Sequence, residues 1–294
     1  MMFGVVGLAG LLLVCPAVLA QSAASPGAAD AAPLDFLPSL TGGYFPISSA
    51  ATGRLYHVYV RLPQDYAADP EKRYPVVYVL DGDSLFPIIA ATHLFLTIDD
   101  EMPEAIVVGV AYGSFDPAIN KRGVDFMPPS PDLAAGKSGA EAFERFLGSE
   151  LLPTVEARYR ADPSRRVLFG QSRGGSFVLY SAFADPDLFW GRIASSPALP
   201  PTRDFFYGEP AAAKRHDLRL FVAEGPGDLP RLRAETVPWL AAWKARQSRP
   251  WQLTEIAIPG GTHSANSPEA YRLAMRQLLG WSGGEASPAD AARQ

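Results

Sequence analysis

The chain has 294 residues and a formal net charge of −5, and this length suits one large α/β domain or two small ones with a full core. Hydrophobic residues make up 48% of it and charged residues 19%, which excludes an intrinsically disordered chain. No basic patch stands out along the sequence, so nucleic acid is not an expected partner.

The N-terminus has the features of a targeting segment. Residues 5–14 form an apolar run, and Val18-Leu19-Ala20 is a small-residue cleavage site. This pattern predicts a signal peptide over residues 1–20 and an exported protein, periplasmic or secreted. The apolar run is too short for a stable membrane anchor. No Lys or Arg precedes the run, which departs from the usual signal.

Cys15 is the only cysteine of the chain and lies inside this segment. Lipid attachment at Cys15 is one alternative, but Val14 is a poor fit to the small residue that lipidation needs before the cysteine. We therefore expect an ordinary residue of the apolar run. Removal of the segment would leave no cysteine, which excludes disulfides, thiolate catalysis and cysteine metal sites.

Small and polar residues flank the main part of the chain. Residues 21–40 are rich in Ala, Ser and Pro, a composition that predicts a flexible linker. We assign one domain to residues 41–283 and a polar tail to residues 284–294.

Strand-like and helix-like segments alternate through this domain. A two-residue period marks a half-buried strand, continuous apolar runs mark buried strands, and longer segments have helical spacing. The alternation implies an α/β fold, with a mostly parallel central sheet and helices on both faces. The predicted strands are 54–62, 74–80, 105–110, 166–169, 193–196, 218–223 and 252–258, and the predicted helices are 85–96, 140–159 with a kink at Pro153, 175–183, 231–246 and 268–279.

The predicted helix 231–246 carries Trp239 and Trp243, four residues apart on one face. We expect these two indoles to pack in the core or at its rim rather than to stack on a ligand.

A nucleophile elbow is the main functional motif. Residues 170–174 read Gly-Gln-Ser-Arg-Gly, between the predicted strand 166–169 and the predicted helix 175–183. A strand, a sharp turn at the serine and a helix form this elbow. The turn strains the backbone of Ser172, and the flanking glycines avoid clashes of a Cβ with strand or helix. The pattern alone also arises by chance, but its position between strand and helix argues against that.

A serine hydroxyl needs a base within hydrogen-bond reach, and in α/β-hydrolases that histidine follows the last strand. The chain has four histidines. His263 lies after the last predicted strand, in a loop with two glycines, and is the predicted base. The others lie in a strand, a helix and an earlier loop: His57, His93 and His216.

The acid that orients the base is expected after the penultimate strand. Asp228 lies further out in that turn and is the preferred candidate, whereas Glu224, at the strand end, is the alternative.

An oxyanion hole needs two backbone N–H donors, one of them from the residue after the nucleophile, which is Arg173. The other is expected from the loop after an early strand, where Gly82 permits the turn and Asp83 is the candidate. Asp81 and Asp83 are also a possible metal pair, but no histidine lies nearby, so we expect neither a metal nor a cofactor.

Residues 112–138 form a long segment rich in Gly, Pro, Asn and Asp, and a loop of this length is usually functional. It contains Arg122, and Arg173 follows the nucleophile directly. These cations favour substrates with an anionic portion, although solvated or salt-bridged arginines explain them equally well.

Taken together, these residues resemble the Putative esterase family of α/β-hydrolases, over roughly residues 45–281. Its members include enterobactin-type siderophore trilactone hydrolases, feruloyl and acetyl-xylan esterases, S-formylglutathione hydrolase and mycolyltransferases. The resemblance implies an α/β-hydrolase fold and a Ser172–His263–Asp228 triad. It is carried by Tyr74–Gly82, Ala105–Val110, Asp125–Pro128, Gly170–Gly175, Asp185–Phe189, Ala194–Pro197 and Gly260–His263.

The chain departs from the family at two elbow positions. Gln171 stands where histidine is common, and Arg173 stands where a bulky apolar or aromatic residue is common. Substrate specificity therefore does not carry over from the family.

The sequence thus predicts an exported serine esterase that acts on a small-molecule ester through an acyl-enzyme. Siderophore trilactones and acyl-carbohydrate esters are candidate substrates, and the sequence does not give the oligomeric state. An acyltransferase is the first alternative, and a non-catalytic binding module on the same fold is the second.

Overall fold

The computed structural model describes Met1, residues 37–99 and residues 102–280. Apart from Met1, the predicted signal peptide lies outside these residues, as do most of the predicted linker and the predicted tail. The strands are β1 (Gly42–Ser48), β2 (Leu55–Arg61), β3 (Tyr74–Val79), β4 (Ile106–Ala111), β5 (Ala161–Gln171), β6 (Gly191–Ser195), β7 (Arg219–Glu224) and β8 (Gln252–Ala257).

Seven α-helices connect or flank these strands in the described part of the chain. Two 3-10 helices, Pro38–Leu40 and Arg203–Tyr207, and a π-helical turn, Leu147–Leu151, complete the elements. The α-helices are α1 (Gly82–Asp99), α2 (Arg122–Asp125), α3 (Ala140–Phe146), α4 (Leu152–Arg158), α5 (Arg173–Ala184), α6 (Pro230–Ala245) and α7 (Ser267–Leu278).

All eight strands form one sheet in the order β1-β2-β4-β3-β5-β6-β7-β8. Strands β1 and β2 pair in antiparallel fashion at one edge, and every pairing from β4 to β8 is parallel. The predicted α/β class with a mostly parallel sheet is therefore confirmed. Parallel strands all end at the same edge of a sheet, which brings the loops after β3, β5, β7 and β8 together.

Side chains alternate between two cores, one on each face of the sheet. Along β3, Val76 and Tyr78 belong to the core that α3, α5 and α6 cover, whereas Val77 and Val79 belong to the core under α1 and α7. Every residue of β3 is buried, as expected for a strand with helices on both of its faces. Trp239 and Trp243 lie in the first core and donate from Nε1 to the Phe206 carbonyl, so their predicted packing role is confirmed.

Three elements differ from their predictions. Strand β1 was not predicted, because its two glycines, its proline and its serine are poor strand formers, and the pairing with β2 compensates for them. Strand β5 begins at Ala161, well before the apolar run that marks it in the sequence. The predicted helix 140–159 is instead two helices joined by the π-helical turn, which directly precedes the helix with Pro153 in its first turn.

The long segment 112–138 is anchored through Asp125 of α2. The buried carboxylate of Asp125 accepts hydrogen bonds from Tyr56 at 2.8 Å and from Tyr112 at 3.0 Å, and Arg54 lies 3.0 Å away. Because Tyr56 and Arg54 belong to β2 and the turn before it, this cluster fixes α2 against the sheet. The position of Arg122, at the start of α2, follows from this anchor.

Glu144 of α3 is a second buried carboxyl, and it interacts electrostatically with Arg192 of β6. The Arg192 guanidinium is fully buried and donates to four backbone carbonyls, those of Ser181, Asp185, Pro186 and Phe189. No ion pair joins it to Glu144 among the described residues. Burial raises the pKa of Glu144 to about 7, although the charge of Arg192 opposes this shift.

We expect Glu144→Gln to stabilise the protein more at pH 8 than at pH 5. Between the ordinary pKa of 4.5 and the folded value of about 7, the folded chain keeps a proton that the unfolded chain has lost. Stability therefore falls as the pH rises through this window. The loss is at most a few kcal/mol, at about 1.4 kcal/mol per pKa unit. Thermal unfolding of the wild type and of Glu144→Gln at pH 5 and at pH 8 measures this loss. An equal difference in stability between the two proteins at both pH values would contradict the raised pKa of Glu144.

Candidate active site

Ser172 lies in the turn between β5 and α5, with φ 58° and ψ −116°. This left-handed backbone is rare for a residue with a side chain. A Cβ on Gly170 would lie 2.4 Å from the Gly174 carbonyl oxygen, so only glycine lets β5 pass this close to α5. The Ser172 N–H donates to the Ser195 carbonyl of β6 at 2.9 Å. The sequence therefore folds here into the strained elbow that its glycines predict.

His263 lies between two hydrogen-bonding partners. Its Nε2 is 2.8 Å from the Ser172 hydroxyl oxygen, and its Nδ1 is 2.7 Å from Oδ1 of Asp228. A neutral imidazole that donates from Nδ1 and accepts at Nε2 satisfies both contacts. Asp228 is only 5% exposed, so its carboxylate is largely removed from water. The three side chains form one line from a buried carboxylate to an accessible hydroxyl.

The loops after β7 and β8 hold this line in place by pairing with each other. The Gly227 N–H donates to the Gly261 carbonyl at 2.9 Å, and Gly227 also forms a bridge with Thr262. Asp228 follows Gly227 and His263 follows Thr262, so this pairing brings carboxylate and imidazole together. Asp228 Oδ1 also accepts the Leu229 N–H at 2.6 Å, which restricts the rotation of the carboxylate.

The alternative acid, Glu224, lies elsewhere. Its carboxylate accepts from Arg233 at 2.7 Å and so forms an ion pair with α6 rather than a contact with His263.

The other three histidines also lie away from Ser172. His57 contacts Tyr44, His93 is buried against Tyr271, and His216 lines a different cavity.

The two predicted oxyanion donors lie in the first turns of helices, Asp83 in α1 and Arg173 in α5. Neither backbone N–H has a hydrogen-bond partner among the described residues, as is usual for a first turn. The Asp83 carboxylate accepts the N–H groups of Tyr112 at 2.9 Å and Gly113 at 2.7 Å, which ties the start of α1 to the end of β4. At Gly82, a Cβ would meet the β4 backbone at 2.9 Å, so glycine is required for this approach.

Asp81 is paired with an arginine rather than poised for a metal. Its Oδ1 and Oδ2 accept from Nε and Nη2 of Arg122 at 2.6 and 2.9 Å, a bidentate ion pair. Burial opposes the charge of Arg122, but the hydrogen bonds and the charge of Asp81 outweigh it and raise the pKa of Arg122. Within residues 37–99 and 102–280, no group of three or more His, Cys, Asp or Glu could hold a metal ion.

A cavity of about 340 Å³ opens over Ser172 and His263. The long segment supplies one wall of it through Phe115, Asn120 and Arg122. Its volume falls in the range of small-molecule sites, about 300–1,000 Å³.

Arg173 is the cation near the nucleophile that has no acidic partner among the described residues. Its guanidinium contacts the sulfur of Met127 at 3.5 Å. Burial and the nearby charge of Arg122 lower the pKa of Arg173. Of the two arginines expected to favour anionic substrates, Arg122 is thus neutralised and Arg173 is not.

Sequence reasoning missed the contribution of Gln171. Its side-chain amide donates to the backbone carbonyl of His263 and so connects the elbow to the loop of the histidine. The sequence offered one indication of this role, because Gln171 stands where histidine is common in the family.

A family model described as Putative esterase matches residues 49–267. The chain belongs to this family. The match includes Ser172, Asp228 and His263 and all the strands from β2 to β8.

Several curated relatives of this chain are esterases by name. The chain is 33% identical over 169 residues to a ferri-bacillibactin esterase of Bacillus subtilis, a match that covers 52% of this chain and 57% of that protein. It is 30% identical over 158 residues to an apo-salmochelin esterase of Escherichia coli, with coverages of 50% and 48%. The chain thus spans about half the length of the curated relatives it matches.

Solved structures support the α/β-hydrolase fold. An IroE-like serine hydrolase from Shewanella oneidensis has a TM-score of 0.69 at 21% identity, covering 81% of this chain and 80% of that one. The BES protein from Bacillus cereus has a TM-score of 0.67 at 21% identity, with coverages of 80% and 94%. In the described residues, no helix has the length and apolar character to cross a membrane.

We expect Arg173→Leu, but not Arg122→Ala, to change the preference between anionic and neutral esters. Loss of the unpaired cation lowers the ratio of kcat/KM for mono-p-nitrophenyl succinate to that for p-nitrophenyl butyrate a few-fold, an interaction of about 1 kcal/mol. Arg122→Ala leaves Asp81 uncompensated and lowers both rates together. If the ratio changes in Arg122→Ala but not in Arg173→Leu, Arg173 is not the cation that favours anionic esters.

We expect Gln171→Ala to lower kcat by about tenfold, since a 1 Å misplacement of a reacting group costs up to about a hundredfold. The reason is the loss of the contact that holds the His263 loop. Gln252→Ala, on β8 and away from the cavity, is the matched control, and equal turnover of the two variants would remove this role from Gln171.

Proposed function

We propose that the protein is an exported serine esterase that hydrolyses small-molecule carboxylic esters through an acyl-enzyme. The observation that carries this proposal is the hydrogen-bonded line from Asp228 through His263 to Ser172. The cavity of about 340 Å³ over Ser172 leaves room for an ester group at the hydroxyl.

In the proposed first step, Oγ of Ser172 attacks the ester carbonyl carbon and its proton moves to Nε2 of His263. The Nδ1–H of His263 donates to Asp228, whose negative charge stabilises the imidazolium. The buried position of Asp228 strengthens this interaction, because little water competes for the carboxylate.

The carbonyl oxygen becomes an oxyanion in this step. The unpartnered N–H groups of Asp83 and Arg173 are its proposed donors, and both belong to helix N-termini, where the dipole favours negative charge. The intermediate then collapses as His263 gives its proton to the departing alcohol. A water molecule, activated by the same imidazole, attacks the acyl-enzyme and releases the acid and Ser172.

The names of the relatives support siderophore esters as the first candidate substrates, because one relative is named a siderophore esterase and two are named esterases of ferri-bacillibactin and of apo-salmochelin. A xylanase/feruloyl esterase of Xylanibacter ruminicola, 28% identical over 165 residues, keeps acyl-carbohydrate esters as candidates. Apart from the water that hydrolyses the acyl-enzyme, the mechanism uses side chains and backbone N–H groups of this chain. Export rests on the apolar run and cleavage site of residues 1–20.

We expect the mature protein to hydrolyse p-nitrophenyl acetate and butyrate, and Ser172→Ala to fall to background. Loss of the hydroxyl removes the acyl-enzyme, because no other serine of the described residues has an imidazole at its hydroxyl. Ser264 lines the same cavity as Ser172, and Ser264→Ala controls for loss of a serine near the nucleophile. Equal rates for wild type and Ser172→Ala, with both proteins folded, would refute the mechanism.

We expect Asp228→Asn to lower kcat by about a thousandfold or more, because an uncharged amide neither fixes the tautomer nor stabilises the imidazolium. Glu224→Gln is the matched control, since Glu224 is a buried carboxyl near the end of β7 that pairs with Arg233. A larger loss in Glu224→Gln than in Asp228→Asn would transfer the role of the acid to Glu224.

A further inference from the structure

Asn266 is a buried amide at the end of the loop that carries His263. It is 1% exposed and directly precedes α7, at a position where an asparagine side chain usually accepts a backbone N–H of the first helical turn. Here the side chain makes no such capping contact. Its Nδ2 instead donates to Oγ of Ser196 at 2.8 Å. The carboxamide is therefore directed away from its own helix and toward the loop after β6.

Ser196 belongs to the loop that holds the nucleophile elbow. Its backbone has φ 45°, in the left-handed region, and its N–H donates to the Ala223 carbonyl of β7 at 2.8 Å. The preceding residue, Ser195, accepts the Ser172 N–H, and Ala198 donates to the Ser172 carbonyl. Ser196 thus lies between the two residues that hold the backbone of Ser172.

The Asn266 carboxamide also packs against the histidine loop. A Cβ on Gly261 would lie 2.2 Å from Oδ1 of Asn266, so the carboxamide lies directly against the Gly261 backbone. The Gly261 carbonyl accepts the Gly227 N–H from the loop of Asp228. Gly261 is therefore enclosed between Asn266 and the loop of the acid. Because His263 follows two residues later, the position of its backbone depends on this packing.

The bond to Ser196 is the hydrogen bond that orients the Asn266 side chain. Oδ1 of Asn266 has no hydrogen-bond partner among the described residues. A side chain that served the stability of α7 would use this oxygen as a cap. Departures from such local rules are typical of functional sites. Neither Asn266 nor Ser196 lines the cavity over Ser172, so neither side chain is placed to contact the ester.

We propose that Asn266 is a positioning residue, which joins the loop of His263 to the loop that holds Ser172. The inference rests on the proposed esterase function. Proton transfer from Oγ to Nε2 needs the observed distance of 2.8 Å, and a misplacement of 1 Å costs up to about a hundredfold in rate. The two groups belong to loops after different strands. The bond between Asn266 and Ser196 fixes these loops relative to each other, in addition to the contact of Gln171.

A double-mutant cycle tests this link. Ser196→Ala and Asn266→Ala each remove one partner of the hydrogen bond. We expect each to lower kcat for p-nitrophenyl butyrate by about tenfold and to leave KM unchanged, because the bond places the base without touching the ester. The double variant should also lose about tenfold rather than about a hundredfold, since both substitutions remove the same interaction. Phosphonylation of Ser172 by a fluorophosphonate should slow by the same factor.

Ser267→Ala is the matched control. Ser267 is the neighbour of Asn266, is also 1% exposed, and its hydroxyl has no hydrogen-bond partner among the described residues. Its substitution removes a buried polar group but leaves the link to Ser196 intact, so kcat should keep the wild-type value. Thermal unfolding of each variant sets an assay temperature well below its transition. If Asn266→Ala does not fold, the kcat and KM of Ser196→Ala, which lacks a single hydroxyl, decide the test.

The outcomes separate the positioning role from the esterase proposal. Ser172-dependent turnover that is unchanged in Ser196→Ala and Asn266→Ala would overturn the positioning role and leave the esterase intact. Losses that multiply in the double variant, or that Ser267→Ala reproduces, would also overturn it, because they would not arise from this hydrogen bond. Absence of Ser172-dependent turnover in the wild type would refute the esterase and the positioning role together.

Discussion

The backbone turn at Ser172 is the constraint on which the rest of the site depends. A residue with a side chain at φ 58° costs about 1–3 kcal/mol and persists only where its surroundings determine it. Here the Ser172 N–H is bound by the Ser195 carbonyl, and the Ser172 carbonyl accepts the Ala198 N–H at 3.1 Å. The turn is thus held by β6 and the loop after it. The strain directs the hydroxyl out of the sheet, toward the edge where the loops of the other strands end.

The electrostatics of this edge follow from how its carboxylates are paired. Asp81 is neutralised by Arg122, Asp83 accepts two backbone N–H groups, and Asp228 faces His263. Both carboxylates that line the cavity in the described residues, Asp81 and Asp83, are thus held by hydrogen bonds to other groups of the chain. Arg173 adds an uncompensated positive charge beside Ser172. The proposed chemistry thus takes place where helix N-termini and one guanidinium favour negative charge.

Much of the fold could be predicted from the sequence, because buried parallel strands are continuous apolar runs and the helices between them have their own period. The line of Ser172, His263 and Asp228 could be proposed because each residue follows a particular strand. Strand β1 could not be predicted, because its glycines and proline are poor strand formers and only the pairing with β2 orders them. The choice between Asp228 and Glu224 depended on a contact, the ion pair of Glu224 with Arg233, that spacing does not reveal.

A second cavity of about 380 Å³, which shares Asp83 and Phe115 with the one over Ser172, was also beyond sequence reasoning. Its lining comes from four separate parts of the chain, represented by Leu40, Tyr59, Phe86 and Phe115. No local pattern links these residues, and they come together only because α1 packs on the strands at the antiparallel edge. The role of Gln171 was hidden for a similar reason, since its partner is a backbone carbonyl 92 residues away in sequence.

The most direct test of the central claim is the reaction of the folded wild-type protein with a fluorophosphonate, followed by intact-mass measurement and peptide mapping. We expect one phosphonyl group per chain, attached to Ser172, because among the serines of the described residues Ser172 alone has an imidazole at its hydroxyl. A folded protein that stays unlabelled, or that carries the label on another serine, would contradict it.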